Sequence, residues 1–494
     1  MKTACFIPIL LLCSVALGTT YYVDQNASGA VDNNPGTSTQ PWKTIQKAAN
    51  TVKAGDSVIV KSGTYNERIT FASGHSGTAG KKIVFKADPR RTVFMQGFNT
   101  DGANNLRIEG FDIAYTQGGW LGGGVWLSSD TVEVVDNYLH DIHGPGIQMS
   151  WSGGPWESVY IGNNHVYHCQ YGLTVSGSNI LVENNEVERL FQFDSTDDCD
   201  YSRFFGDSIT FRGNYFHNTL MSEVGTAHLD CFQTFDNNGE HVANVTFEGN
   251  RCSECDEGLM GEATFYHKSH DIIFKNNIFA HSGAWGLCVK DITNIKVFNN
   301  VFFDIQYHGA GFSGAYATGE EVKNNIFYKS ETSYWCSDSG QVTGDYNIVY
   351  KSDSPAGAHN KIGVDPLFKD TSAGDFHLLA GSPAIDAGTV VDVATDFDGT
   401  ARPVNGVFDI GAFEFSNAAV KGDRSEKQGP ALRRIMVANP VTAALLCRFL
   451  RNNNALVLFD CTGKRVSAGQ IHRSDIYVIK NKETDAVRKV FVIK

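Results

Sequence analysis

The stretches IIFKNNIFAH (272–281), IKVFNNVFFD (295–304) and EEVKNNIFYK (320–329) share one pattern. Apolar residues alternate before a pair of asparagines, and further apolar residues follow the pair. Related stretches occur upstream, and successive patterns are 21 to 36 residues apart. This spacing fits one coil of a parallel β-solenoid, in which three short strands and three turns bring the chain back to its starting side. The last asparagine of each pattern is, in chain order, Asn137, Asn164, Asn185, Asn214, Asn250, Asn277, Asn300 and Asn325.

The repeated asparagine and the alternating apolar residues predict how such coils stack. Alternation with period two directs every second side chain of a strand into the interior. An asparagine at the same bend of successive coils can hydrogen-bond to the asparagines above and below it. An ordinary β-sandwich gives no reason for an asparagine at a fixed bend. The sequence therefore predicts an all-β fold, a right-handed parallel β-helix over residues 19–415.

The two ends of this region resemble the pectate-lyase-like superfamily of secreted bacterial β-helix proteins. The resemblance rests on YYVDQNASGAVDNNPGTSTQPWKTIQKAANTVKAGDSVIVKSGTYNERI (21–69), DPLFKDTSAGDFHLLAGSPAIDAG (365–388) and DFDGTARPVNGVFDIGAFEF (396–415). It implies that residues 46–49 form a helix over the open end of the core. The superfamily contains lyases, hydrolases, epimerases and non-enzymes, so the resemblance implies an architecture and leaves the reaction open.

The two termini predict export. Lys2, the apolar run 6–15 and the small residues that end at Gly18 are typical of a signal peptide over residues 1–18. The polar residues 416–434 are typical of a linker. Residues 435–494 resemble the C-terminal sorting domain of the type IX secretion system, through an Asn-Pro-Val start at Asn439, the motif DCTGKRV (460–466) and a Lys-rich final strand. A small β-sandwich appended for binding is the alternative.

The composition of the chain limits the classes of molecule that the protein can bind. The formal net charge is −13, which excludes a nucleic-acid-binding protein because phosphates require a basic face. No later apolar run is long enough to span a membrane. We therefore expect a secreted, extracellular or cell-surface monomer whose partner is an extracellular polysaccharide.

Aligning the strands of successive coils yields candidate functional residues. The aligned segments are GIQMS (146–150), GLTVS (172–176), RFFG (203–206), CFQTF (231–235), GLMGE (258–262), GLCVK (286–290) and GFSG (311–314), with the second residue of each directed inward. Neighbouring coils are roughly 5 Å apart, so this alignment pairs Asp230 with Glu257 and Glu262 with Lys290. The polar residues at outward positions or just before the strands are Arg203, His228, Asp230, Gln233, Glu257, Glu262, Lys290 and His308.

These residues fit a Ca²⁺ site, a glycoside hydrolase or a polysaccharide lyase. Asp230, Glu257 and Glu262 would ligate Ca²⁺, or would act in pairs as the carboxylates of a glycoside hydrolase. A polysaccharide lyase that cleaves a uronate-containing glycan by β-elimination needs a neutralised substrate carboxylate and a base. The segment AHLDCFQTFD (227–236) combines His228, Asp230 and Gln233 where a strand should be apolar, which favours a catalytic site there.

The chondroitinase and alginate lyase family of β-helices is similar in using a lysine base, an arginine and acidic Ca²⁺ ligands. This resemblance implies Lys290 as the base and Arg203 as the arginine, with Glu257 and Glu262 as ligands. The lyase is therefore the favoured interpretation, and the hydrolase is the first alternative.

Tryptophans supply the third possibility, a non-catalytic glycan-binding or adhesive protein. Trp126 and Trp151 lie in glycine-rich sequence, and Trp285 precedes one of the aligned strands. Flat aromatic faces can stack on sugar rings. We therefore expect these three residues to bind substrate together with Gln233 and His308.

Overall fold

The computed structural model describes residues 18–416, with gaps at 73, 116–122, 152–153, 195–196, 237–239, 266, 338–341 and 356, and four short strands between 456 and 491. The chain divides into two units, at residues 417 and 418. The predicted signal peptide, except Gly18, and the predicted linker, except Ser416, lie outside the described residues. No helix among the described residues has the length and apolarity needed to cross a bilayer.

The first unit is the predicted right-handed parallel β-helix, and all of its solenoid strands pair in parallel. Each coil contributes to a first sheet before the asparagine bend, a second sheet after the bend and a third sheet after the next turn. Five strands run through corners and belong to more than one sheet: Ser57–Thr64, Ile83–Met95, Tyr138–Met149, His165–Glu183 and Ser202–Arg212.

The remaining strands belong to one sheet each, apart from Trp156–Glu157, which pairs with residues 177 and 178 at a corner. The first sheet has Thr20–Val23, Leu106–Glu109, Val132–Val135, Tyr160–Gly162, Val242–Glu248, His270–Lys275, Thr293–Phe298, Glu321–Lys323 and Thr343–Asp345. The second sheet has Asp112–Ala114, Glu186–Glu188, Tyr215–His217, Arg251–Ser253, Ile278–Ala280, Val301–Phe303, Ile326–Tyr328, Ile348–Tyr350 and Lys361–Ile362. The third sheet has Arg68–Thr70, Gly97–Asn99, Val125–Leu127, Phe232–Phe235, Glu257–Glu262, Trp285–Lys290, His308–Ser313 and Thr332–Cys336.

The predicted asparagine ladder is confirmed. The side-chain amide of Asn250 donates to Oδ1 of Asn277 at 3.0 Å, and Asn277 donates to Asn300 at 3.0 Å. The same bond links every neighbouring pair from Asn137 onward and continues beyond the predicted set to Asn347 and Asn360. Since these asparagines are buried, the ladder satisfies polar groups that would otherwise destabilise the bend.

Short local structures lie at the start of the solenoid, between two of its coils and after its last coil. The predicted N-terminal helix occupies Ile45–Ala49, and its residues Ile45, Ala48 and Ala49 pack into the core. A second short helix occupies Met221–Val224, in an insertion between coils. After the last coil, the strands Phe368–Asp370 and Asp375–Leu378 form a hairpin around the 3₁₀ turn Thr371–Ala373.

The second unit contains one four-stranded antiparallel sheet, built from Leu456–Asp460, Arg465–Val466, Ile476–Asn481 and Val487–Phe491. The first two strands flank the tip of the DCTGKRV motif and pair with each other. The small β-domain predicted for this region is thus confirmed. Its assignment as a type IX sorting domain stays a prediction.

Candidate functional site

The outer face of the third sheet carries one continuous row of residues along the solenoid axis. We call it the middle row. Each member is the Cα partner of the next in the neighbouring coil. In order it contains Trp126, Gln148, Thr174, Arg203, Gln233, Met260, Cys288, Gly311 and Trp335.

The predicted strand alignment is correct at some coils and wrong at others. Phe232 and Leu259 pair as predicted, and so do Leu259 and Leu287. Phe204, however, pairs with Val175 rather than with Leu173, and Phe312 pairs with Val289 rather than with Leu287. Both errors are slips of two residues, which preserve the face of a strand, so the inward residues are still correctly identified. The correction makes Arg203 the direct neighbour of Gln233.

Three acidic residues lie on consecutive coils just before the middle row, and we call them the acidic row: Asp200, Asp230 and Glu257. The backbone N–H of Asp230 donates to Oδ1 of Asp200 at 3.1 Å, and that of Glu257 donates to Oδ1 of Asp230 at 3.3 Å. The predicted pairing of Asp230 with Glu257 is therefore present. Asp200 and Asp230 are fully buried, whereas Glu257 is half-buried.

Arg203 is held rigidly over the acidic row. Its Nε lies 2.6 Å from Oδ2 of Asp200, and its Nη2 lies 2.7 Å from Oδ2 of Asp198. Its guanidinium carbon stands 4.8 Å from the centre of the Tyr171 ring. Beside it, the amide of Gln233 donates to Oδ2 of Asp230 at 3.2 Å. The two buried aspartates thus orient the arginine and the glutamine of the middle row.

Burial perturbs these acids strongly. Desolvation raises the pKa of Asp200 to about 6, despite the opposing charge of Arg203. Desolvation, with the charges of Asp200 and Glu257, raises the pKa of Asp230 well above its ordinary value. Desolvation and Glu257 also raise the pKa of Asp256. One arginine does not neutralise this many carboxylates, so the cluster favours a retained proton or a bound cation.

Some residues of the segment 227–236 are buried and stabilise the fold, whereas others are exposed. Cys231 forms a disulfide with Cys252, and Phe232 lies in the core. His228 is exposed, and its charge acts to lower the pKa of Asp256. Exposed and close to Asp256, His228 is the member of this segment best placed to exchange a proton with a ligand.

Glu262 and Lys290 are Cα partners, as predicted, but they lie apart from the acidic row. Glu262 is five residues further along its strand than Glu257, which corresponds to roughly 16 Å in an extended chain. The predicted Ca²⁺ set of Asp230, Glu257 and Glu262 is therefore not brought together, because its third member belongs to a different row. Glu262 and Lys290 lie two residues beyond the middle row, and two and three coils away from Arg203 respectively.

Aromatic rings continue the face beyond the acidic row. The rings of Trp285 and His308 have centroids 4.4 Å apart, and His308 stacks on Trp335 at 5.3 Å. Trp285 and His308 thus lie on one surface, as predicted, and Trp335 lies on the same surface. On the other side, the exposed Trp151 packs edge-on against Phe205 at 5.0 Å. Trp126 is half-buried at the start of the middle row.

The sequence reasoning missed Tyr171 and Trp335. Trp335 is the Cα partner of Gly311, whose missing side chain leaves room for the ring of Trp285 from the preceding coil. A glycine between two coils that carry tryptophan was the available signal. For Tyr171, which precedes GLTVS, the signal was its position one coil before the Asp198–Asp200 run.

Two family models match the chain. Residues 21–171 match the model described as "Pel9A-like, right handed beta helix region", and residues 157–353 match the model described as "Right handed beta helix region". The Pel9A-like match ends at Tyr171, before the acidic row begins. The second match includes the whole acidic row.

Two relatives illustrate the similarity. The uncharacterized protein YwoF of Bacillus subtilis (strain 168) is 25% identical over 355 residues, which are 64% of this chain and 69% of YwoF. The crystal structure of pectate lyase Pel9A aligns with a TM-score of 0.52 and 16% identity, covering 82% of this chain and 98% of Pel9A. Together with the parallel solenoid, these matches show a right-handed β-helix fold.

Proposed function

We propose that this protein cleaves a uronate-containing polysaccharide as a lyase, on the outer face of the third sheet. The observation that carries the proposal is the acidic row, in which the buried Asp200 and Asp230 hold Arg203 and Gln233. The exposed His228 precedes Asp230 by two residues. Aromatic rings extend the same face on both sides, as a surface for sugar rings would require. The shared fold with a pectate lyase supports this architecture for glycan chemistry and says nothing of the residues.

The reaction assigns a part to each group. Arg203 and Gln233 would bind the uronate carboxylate, which makes the proton on the adjacent carbon more acidic. A base removes that proton, and its electron pair forms the new carbon–carbon double bond. The glycosidic bond to the next carbon breaks, and the leaving oxygen takes a proton from a nearby acid. The products are an unsaturated uronate and a new reducing end.

We propose His228 as the base. It is exposed, and its charge acts to lower the pKa of Asp256. The coil of His228 is adjacent to that of Arg203, whereas the exposed Lys290 lies three coils away from Arg203. A base must reach the proton next to the carboxylate that Arg203 binds, and the nearer coil favours His228.

Binding of Ca²⁺ at this site is also a proposal, and fewer residues support it than the sequence predicted. Asp230 and Glu257 supply too few oxygens for an ion that takes about six to eight, so substrate and water would have to provide the rest. The predicted third ligand, Glu262, does not fit. A cation would nevertheless relieve the repulsion between this acidic row and an anionic glycan, and this is why a chelator belongs in the test.

A glycoside hydrolase is the second candidate, and the pairing of Asp230 with Glu257 favours it. The raised pKa of Asp230 favours its protonated form, which a general acid requires. Carboxylates on adjacent coils, roughly 5 Å apart, would suit a retaining mechanism. The full burial of Asp230 argues against it, because a glycosidic oxygen could not reach the proton without displacing neighbouring residues.

The test follows the full chain on uronate-containing and neutral polysaccharides, with and without a chelator. Ultraviolet absorbance reports the unsaturated product, and a reducing-end assay reports any cleavage. We expect absorbance and reducing ends to rise together. His228→Ala should lower kcat by a factor of about 10²–10⁴, the usual contribution of a general base.

The variants separate the candidates. His281→Ala, which removes an exposed histidine elsewhere on the solenoid, should leave kcat unchanged. If Lys290→Ala abolishes absorbance while His228→Ala does not, the base is Lys290. Reducing ends without absorbance would replace the lyase by the hydrolase. Binding of a glycan without cleavage of any substrate would make this a non-catalytic glycan-binding protein.

A further inference from the structure

A second polar cluster lies on the outer face of the second sheet, away from the residues assigned to glycan cleavage. We call it the histidine–glutamate cluster: His165, Glu186, Glu188 and His217. Its members come from three consecutive coils, in which His165 is the Cα partner of Glu186 and Glu188 is the Cα partner of His217. Side chains from three separate coils therefore meet at one place.

The contacts within the cluster are diagonal. Nε2 of His165 lies 2.9 Å from Oε1 of Glu188, and Nε2 of His217 lies 3.1 Å from Oε1 of Glu186. One ligating atom from each of His165, Glu186 and Glu188 falls within 4.8 Å of the other two. In the part of the chain that the structure describes, no other group of three histidine, cysteine, aspartate or glutamate residues meets this condition.

The cluster is enclosed on most sides. The side chains of Glu188 and His217 are each 7% exposed and that of His165 is 14% exposed, whereas Glu186 is 46% exposed. The ring of His217 stacks on Tyr215 at 3.6 Å, and the ring of His165 lies 5.0 Å from that of Tyr138. Aromatic neighbours thus fix both imidazoles, and solvent reaches the group past Glu186.

Two features bear on whether an ion completes the cluster. Glu186 and Glu188 carry two negative charges, which the nearby charges of Arg91 and Arg189 offset in part. In addition, Nδ1 of His217 is buried and has no hydrogen-bond partner among the described residues. Since Nε2 of this ring faces Glu186, Nδ1 points away from the glutamates and is the nitrogen that an outer partner or a water would satisfy.

We propose that the histidine–glutamate cluster binds a divalent transition-metal ion of the Zn²⁺ class. Two imidazole nitrogens and two carboxylates form a ligand set that suits such ions. Ligand atoms held at about 2.1 Å in a tetrahedral shell are roughly 3.4 Å apart. The ligand atoms of His165, Glu186 and Glu188 already lie within 4.8 Å of one another, whereas His217, which contacts Glu186, lies outside this group and must move toward it as the fourth ligand. The ion cancels the two carboxylate charges and links three coils.

A further neighbour supports this assignment. The side-chain amide of Asn218 donates to Oε2 of Glu188 at 3.1 Å, which leaves Oε1 as the oxygen directed at His165. Metal-ligating carboxylates are commonly oriented by such an outer hydrogen bond. Asn218 is therefore the positioning residue of the site.

The experiment titrates the chelator-treated full chain with Zn²⁺ by calorimetry and with Co²⁺ by visible absorption. We expect saturable binding and a Co²⁺ spectrum of a four-coordinate nitrogen–oxygen site. Glu188→Gln, which keeps the shape of the side chain, should weaken binding by more than the roughly 10- to 100-fold that loss of an outer partner costs. Asn218→Ala should fall within that range.

Two further variants keep the result interpretable. Glu186→Gln changes the exposed ligand and should weaken binding without loss of folding. His281→Ala removes a histidine that pairs with Asp304 and should leave the affinity and the spectrum unchanged. Absence of saturable binding, or equal affinity in both glutamine variants and the unmodified chain, would overturn the proposal.

Discussion

The residue before each ladder asparagine from Asn137 to Asn347 takes a left-handed backbone conformation. Asn163 has φ of 55°, Asn184 of 54° and Asn276 of 54°, and glycine takes the same role at Gly213 and Gly249, with φ of 63° and 62°. Asparagine and glycine tolerate this region better than other residues do. Each Asn-Asn or Gly-Asn dipeptide therefore stabilises the bend in two ways. Its first residue adopts the left-handed conformation, and its second residue makes the ladder hydrogen bond.

This reasoning predicts the effect of substitutions at Gly249. A Cβ atom built there meets no other atom within 4 Å, so only the backbone conformation opposes a side chain. Gly249→Asn should change the free energy of unfolding by less than about 0.5 kcal/mol, since asparagine holds the same conformation in neighbouring coils. Gly249→Val should lower it by about 1–2 kcal/mol, because a β-branched residue is strained at positive φ.

Urea unfolding followed by circular dichroism measures both changes. Gly80→Val, at an exposed glycine that also has positive φ and an open Cβ position, shows whether the cost is general to this conformation. Equal stability of the asparagine and valine variants at Gly249 would refute the conformational explanation.

At the scale of the element, the outer face of the second sheet changes character along the axis. The early coils carry the polar histidine–glutamate cluster. The late coils present an apolar row of Ile278, Val301, Ile326 and Ile348, whose members are Cα partners. Residues 368–415 cover this row, and their buried apolar side chains form one cluster with it.

The first asparagine of the late pairs fastens this cover. Nδ2 of Asn299 donates to the carbonyl of Asp409 at 2.9 Å, and Nδ2 of Asn324 donates to that of Thr389 at 2.7 Å. In an Asn-Asn pair, one asparagine therefore builds the ladder and the other holds the covering segment. We therefore expect the solenoid and its C-terminal cover to unfold as one cooperative unit.

Phe376 tests that cooperation. It is 1% exposed and packs against Phe303 with ring centroids 5.0 Å apart. Phe376→Ala should lower the free energy of unfolding by about 3–5 kcal/mol, the usual cost of truncating a buried phenylalanine. Val390→Ala, at a residue that is 85% exposed, is the control and should shift it by less than about 0.5 kcal/mol. A small loss for Phe376→Ala in chemical denaturation would mean that the cover is not part of the cooperative unit.

The sequence predicted the faces of the strands better than their register. Period-two alternation identified the inward residues Phe204 and Phe312, yet both were aligned two residues away from their partners. Alternation carries no information that separates registers differing by two. The insertion before Ser202–Arg212 has no repeat of its own, so its length could not be converted into a position along the strand.

The same limit explains the outcome for the candidate site. The pairing of Asp230 with Glu257 was predictable because both follow directly from the position of the asparagine bend. The separation of Glu262 from Asp230 and Glu257 could not be predicted. Counting outward positions along a strand does not show that two of its residues belong to different rows. The ion pairs that hold Arg203 depend on Asp198 and Asp200, which lie in an insertion and could not be placed by the repeat.

At the scale of the whole molecule, the middle row turns a local site into a long surface. It runs from Trp126 through Arg203 to Trp335, eight coil-to-coil steps of about 4.8 Å, or roughly 38 Å in total. Aromatic rings mark both ends, and the acidic row lies near its centre. A parallel solenoid repeats one position in every coil, so it can present a binding surface as long as an extended glycan.

This arrangement predicts a dependence on substrate length. If a glycan lies along the middle row, kcat/KM should rise with oligosaccharide length until the chain reaches the ring of Trp335. Trp335→Ala should then lower kcat/KM for long oligosaccharides by about fivefold, equivalent to about 1 kcal/mol of lost stacking, and leave short ones unaffected. Phe94→Ala, at an exposed aromatic residue outside the third sheet, should change neither. An equal effect of Trp335→Ala on all lengths would mean that the residue supports the fold of the last coils, and a glycan would then have to cross the row instead of following it.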